Sequence, residues 1–80
     1  MNKKELLKKL NKEKAPEWMY FLEADEVDEY MDNFVLHKKN NLWDVYFGER
    51  GEKIKLKTFD NEEEACEYLY VIIKDDMKYS

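Results

Sequence analysis

Residues 33–59 read NFVLHKKNNLWDVYFGERGEKIKLKTF, and the period of their apolar residues decides the fold. In LWDVYFG, Trp43, Val45 and Phe47 point one way while Asp44 and Tyr46 point the other, because strand side chains alternate between faces. The preceding NFVLHKK alternates too, with Phe34 and Leu36 on one face and Val35 and His37 on the other. The following EKIKLKTF predicts Ile54, Leu56 and Thr58 inward and Lys53, Lys55 and Lys57 outward. Asn40 and Asn41 suit a tight turn, since asparagine tolerates positive φ. In the GERG of residues 48–51, Gly51 is the permissive residue. Three such runs joined by two short turns predict a three-stranded antiparallel meander with one buried face.

A helix is expected on either side of this meander. In KKELLKKLNK, Leu6, Leu7 and Leu10 are spaced by three and four, the narrow apolar stripe of a surface helix, and Pro16 ends it or begins a new turn. In FDNEEEACEYLYVIIKDDM, Asn61 is a cap, Glu64 is the third residue of a capping box, and Glu62, Glu63 and Glu64 favour the positive end of the dipole. Lys74 and Lys78 sit towards its other end. Ala65, Leu69, Ile72 and Ile73 recur at helical spacing and should cover the sheet. Cys66, Tyr68, Tyr70 and Met77 widen that stripe beyond what one sheet face needs, so either the N-terminal helix or a partner must cover the excess. Residues 17–32 fit two readings: a broken amphipathic helix, or a short extended piece followed by an acidic turn of helix. The expectation is an α+β fold, a three-stranded antiparallel sheet packed by an N-terminal and a long C-terminal helix, with residues 1–80 as one domain.

Composition narrows the function classes. A chain of 80 residues buries only about 60% of the surface its unfolded form exposes, so its core is thin. With 44% apolar against 41% charged residues, the balance is that of a folded and strongly solvated domain. The single Cys66 excludes an internal disulfide framework and suggests a reducing compartment. No run approaches the roughly 20 apolar residues of a membrane span, and a cytoplasmic chain is expected. The net charge of −5 is segregated: residues 1–14 carry six lysines and two glutamates, residues 17–32 seven acids and no base. Acidic blocks of this kind favour a basic partner.

Catalysis and cofactor binding are poorly supported by the residues. One histidine and one cysteine, far apart in sequence, give no ligand pair of recognisable spacing, and the acidic EADEVDEYMDN lacks the glycine of a calcium loop. Two glycines cannot build a phosphate-cradling loop. A helix N-terminus would favour a Cys66 thiolate, but Glu62, Glu63 and Glu67 oppose it, which leaves a small core residue. No metal, cofactor, small-molecule substrate or enzymatic activity is expected. The lysine face of Lys53, Lys55 and Lys57, with Tyr46 and with Arg50 at its rim, is the alternative. It reads as a small nucleic-acid-binding or regulatory module, although such modules are usually basic and edge lysines also guard against aggregation.

Taken in order, FVLHKK, WDVYFGERGEK and KTFDNEEEACEYL resemble a small immunity-protein family of bacterial polymorphic toxin systems. The resemblance covers about half of the chain by motif, and the order of elements covers most of it. It implies an inhibitor that binds the C-terminal domain of a secreted or contact-delivered toxin, often a nuclease with a basic cleft, and neutralises it in the producer and its kin. Residues 17–32 match no motif of that family, so the toxin-facing surface is read from charge and aromatic content. Glu23, Asp25, Glu26, Asp28, Glu29 and Asp32 form the expected carboxylate patch, and Tyr20 and Tyr30 are the expected aromatic anchors. The GERG stretch is read as a hairpin end in which Arg50 is free to pair with Glu49 or Glu52, and a contact between Arg50 and the toxin stays open.

Overall fold

A computed structural model describes residues 1–22 and 32–79. In chain order the elements are helix α1 (Lys3–Lys12), a 3-10 turn (Glu17–Met19), β1 (Tyr20–Leu22), β2 (Asn33–Lys39), β3 (Leu42–Glu49), β4 (Glu52–Phe59) and helix α2 (Glu62–Tyr79). The class is α+β as expected, and the meander of β2, β3 and β4 is present. The sheet, however, has four strands in the order β1-β2-β3-β4, and β1 runs parallel to β2. A purely antiparallel three-stranded sheet is therefore corrected to a mixed one. Its extra strand comes from Tyr20–Leu22, a run too short to show any period. Of the two readings of residues 17–32, the extended one holds for Tyr20–Leu22, while residues 23–31 lie outside the described residues.

Register explains which side chains meet the helices. Tyr20 and Leu22 pair with Phe34 and Leu36, and Phe34 and Leu36 pair with Phe47 and Val45, so these residues share the covered face. Leu6 and Leu10 of α1 and Ala65, Cys66, Leu69 and Ile73 of α2 close over them in one buried cluster. The wide stripe on α2 is thus covered in large part by α1. Three contacts run in the same order along both helices: the Lys3 amide donates to Glu62 at 2.8 Å, Lys9 lies over the Tyr70 ring, and Lys74 pairs with Glu13 at 3.4 Å. The two helices therefore lie side by side and parallel.

Local signals set the helix ends. Asn2 and Glu5 form a reciprocal capping box at the start of α1. At its end the Lys14 amide donates to the Asn11 carbonyl and the Ala15 amide to the Leu10 carbonyl, the two bonds of a Schellman motif, with Lys14 at φ 61 in the place usually given to glycine. Asn61 caps α2 as expected, its side-chain oxygen accepting from the Glu64 amide at 2.8 Å.

The strand β4 departs from the expected alternation. Tyr46 pairs with Lys55 and Val45 with Lys57, leaving Leu56 as an extra residue in a β-bulge. Beyond the bulge the two faces exchange. Lys57, expected outward, turns to the helix side, where its ammonium lies 5.2 Å from the Phe59 ring and 5.7 Å from that of Tyr68 on α2. Thr58, expected inward, faces away and donates to Asp44. Ile54 and Leu56 are exposed. At the GERG turn, Gly51 has the positive φ expected of it (81), but Arg50 has one as well (51). Both positions of the two-residue loop are left-handed, as a type I′ hairpin requires.

Candidate functional site: a groove beside Trp18

Pro16, Glu17 and Trp18 follow the end of α1. Pro16 cannot extend a helix, and its carbonyl accepts from the Met19 amide at 3.0 Å to close the 3-10 turn. That turn sends Met19 into the core and leaves Trp18 57% exposed. An exposed tryptophan is informative, because its large ring would gain more from burial than almost any other side chain.

Trp18 stands at an open groove of about 490 Å³ whose other walls come from three more parts of the chain. Met19 and Phe47 supply apolar floor, and Phe47 is held by Phe34, ring centre to ring centre 5.0 Å. Met77 arrives from the last turns of α2, one helical turn beyond buried Ile73. Asp76 beside it and Asp32, just ahead of β2, bring carboxylates to the same groove. The ion pairs Lys55–Asp44 and Lys74–Glu13 lie elsewhere.

The residues expected to meet a partner distribute unevenly. Asp32 is exposed and lines the groove. Tyr20, expected as an exposed anchor, is buried: β1 places its ring on the helix side of the sheet, only 7% exposed, with its hydroxyl donating to Asn11 at 3.4 Å. Burial, with a smaller contribution from Glu17, pushes its phenol pKa up. Glu23, Asp25, Glu26, Asp28, Glu29 and Tyr30 lie outside the described residues. Trp18 and Met77 were the residues that charge reading passed over. The only sequence signal for Trp18 was its place just after a helix-ending proline, where a large aromatic has no periodic neighbour to pack with.

The sheet face turned away from the helices carries a second cluster, centred on Asp44, and is itself partly covered, since both Asp44 and Val35 are buried there. The Asp44 carboxylate accepts from Thr58 at 2.5 Å and from the Tyr46 hydroxyl at 3.4 Å, and Lys55 stands 3.7 Å away. Burial by itself would raise the Asp44 pKa. The Thr58 hydrogen bond, the Lys55 ammonium, the Tyr46 hydroxyl and His37 across the strand pair together outweigh it and hold the carboxyl below its ordinary value. Lys53 and Lys55 flank the Tyr46 ring at 4.9 and 5.9 Å, but Lys57 is on the other side of the sheet. The bulge therefore divides the lysine face that a nucleic-acid-binding reading requires.

Cys66 is fully buried, and burial, reinforced by Glu62, pushes its thiol up to about 11. It remains a neutral thiol at physiological pH, which is unsuited to nucleophilic attack. Among the described residues there is no group of three or more His, Cys, Asp or Glu placed to hold a metal ion, and no helix is long and apolar enough to cross a membrane. Comparison of the chain with protein-family models, with curated proteins and with solved structures found no match.

Proposed function

We propose that the protein is an immunity protein: a cytoplasmic inhibitor that binds the C-terminal domain of a bacterial toxin, a basic nuclease domain, and blocks its cleft without turning over a substrate. The single structural observation that supports a binding role is the exposure of Trp18 beside a partly apolar groove with carboxylates at its walls. Tryptophan is the residue most enriched among interface hot spots, and a surface of this chemistry suits a partner that is positively charged. The choice of a toxin as that partner comes from the motif order of residues 34–69 and from the acidic block of residues 17–32.

The test is co-expression with the C-terminal domain of a candidate toxin, sought in the adjacent upstream gene. Survival of the host, and stoichiometric inhibition of the purified toxin domain, are the expected results. Association should slow as salt is raised, because charge acts mainly on the rate of encounter. Unrescued killing by that toxin, or catalytic turnover by the purified protein alone, would end this reading. A gel-shift series with single-stranded RNA addresses the alternative: salt-sensitive binding abolished by replacing Lys53 and Lys55 would favour a nucleic-acid module.

A further inference from the structure

We infer that the groove beside Trp18 receives one arginine side chain projecting from the partner protein; this rests on the protein-binding role proposed above and specifies what fills the site. The groove combines two chemistries that few side chains satisfy together. Met19, Phe47 and Met77 offer apolar surface of the kind that accepts the methylene stem of a long basic residue. Asp32, just ahead of β2, and Asp76, in the last turns of α2, bring two carboxylates to the same space. A purely apolar occupant would strip water from those carboxylates and give nothing back, and an acidic one would be repelled. A cation with an apolar stem meets both demands.

Trp18 decides between the two basic side chains. Its exposed indole offers a flat face, on which a guanidinium stacks through both cation–π attraction and planar contact. The same guanidinium carries a planar fork of donors that matches a carboxylate with two parallel hydrogen bonds, whereas an ammonium acts as a point charge. The excess of acids over bases in the whole chain, net −5, acts in the same direction at longer range.

The probes are two capped tripeptides, acetyl-Leu-Arg-Leu-amide and the same peptide with citrulline, which keeps the shape of arginine and removes its charge. Each is titrated into the 15N-labelled full chain up to about 10 mM, the range in which ligands with few contacts bind. With the arginine peptide, the Trp18 indole N–H and the Met19 and Met77 amides should shift together. The citrulline peptide should bind at least about tenfold more weakly, the loss of a charge-assisted contact. Trp18→Ala and Asp76→Asn, both at exposed positions and checked by unchanged far-UV circular dichroism, should each weaken the arginine peptide severalfold. Equal binding of the two peptides would overturn the inference, as would shifts confined to other acidic surfaces or no binding at all. The titration needs no toxin. Peptide binding without toxin neutralisation would sink the immunity reading alone, and neutralisation without peptide binding would sink the arginine site alone.

Discussion

The strands β3 and β4 are both eight residues long and both alternate apolar with polar residues, yet only one of them is buried. β3 has a neighbour on each side, and its Trp43 and Val45 are 6% and 0% exposed. β4 is the sheet edge, and its Ile54 and Leu56 are 48% and 40% exposed. The difference teaches that alternation assigns faces only while the register is unbroken. Burial of a face depends on what lies over it. At Leu56 the extra residue exchanges the faces, and α2 lies over Phe59 rather than over the start of the strand.

Substitutions that separate the strands test this contrast most strongly. Trp43→Ala should cost about 3–5 kcal/mol in urea unfolding, because it empties a site in the packed cluster. Leu56→Thr on the edge should change stability by about 0.5 kcal/mol or less. Equal costs would mean that the edge strand is as well covered as the central one.

The next effect concerns the polar link between the strands. Asp44→Ala leaves the Thr58 hydroxyl and Lys55 without their carboxylate, and should cost about 1–3 kcal/mol at neutral pH. Because the folded state holds the Asp44 pKa below its ordinary 3.8, its contribution is complete above that value and is lost as the pH falls through the lower folded-state value. An acid titration of unfolding free energy should therefore be flatter below pH 3.8 for Asp44→Asn than for the unsubstituted protein. Identical acid limbs would remove Asp44 from the account.

The smallest effects are at the turn that joins the two strands. A Cβ at Gly51 meets nothing within 4 Å, so Gly51→Ala carries only the backbone cost of φ 81, about 1 kcal/mol. Arg50→Asn, at φ 51, should stabilise by about 0.5 kcal/mol or less, since asparagine tolerates that region better. Thermal unfolding of the pair should move in opposite directions.

Much of this architecture was legible in the sequence wherever a period ran long enough. Phe34, Leu36, Trp43, Val45, Ala65, Leu69 and Ile73 all sit where their spacing puts them, and Asn61 caps α2. What escaped was anything fixed by a single residue or by a distant neighbour. The bulge at Leu56 leaves no mark on composition, since lysine and an aliphatic residue alternate straight through it. Three residues cannot display a strand period, so Tyr20–Leu22 became a strand only through pairing with residues more than ten positions away. For the same reason Tyr20 reads as a surface aromatic, whereas the strand buries it and the 3-10 turn just before it leaves Trp18 exposed.

The bond from the Lys3 amide to Glu62 spans 59 positions of the chain. Helix α1 is synthesised before the strands and α2, and a ten-residue helix is marginal in water by itself, even with its capping box. Its Leu6 and Leu10 find Ala65, Cys66 and Leu69 only after those residues have been made. During translation the leading helix therefore waits, its leucines uncovered, until the trailing helix emerges and both settle on the finished sheet. A chain cut short within α2 would therefore leave α1 unfolded, although α1 itself had been made in full.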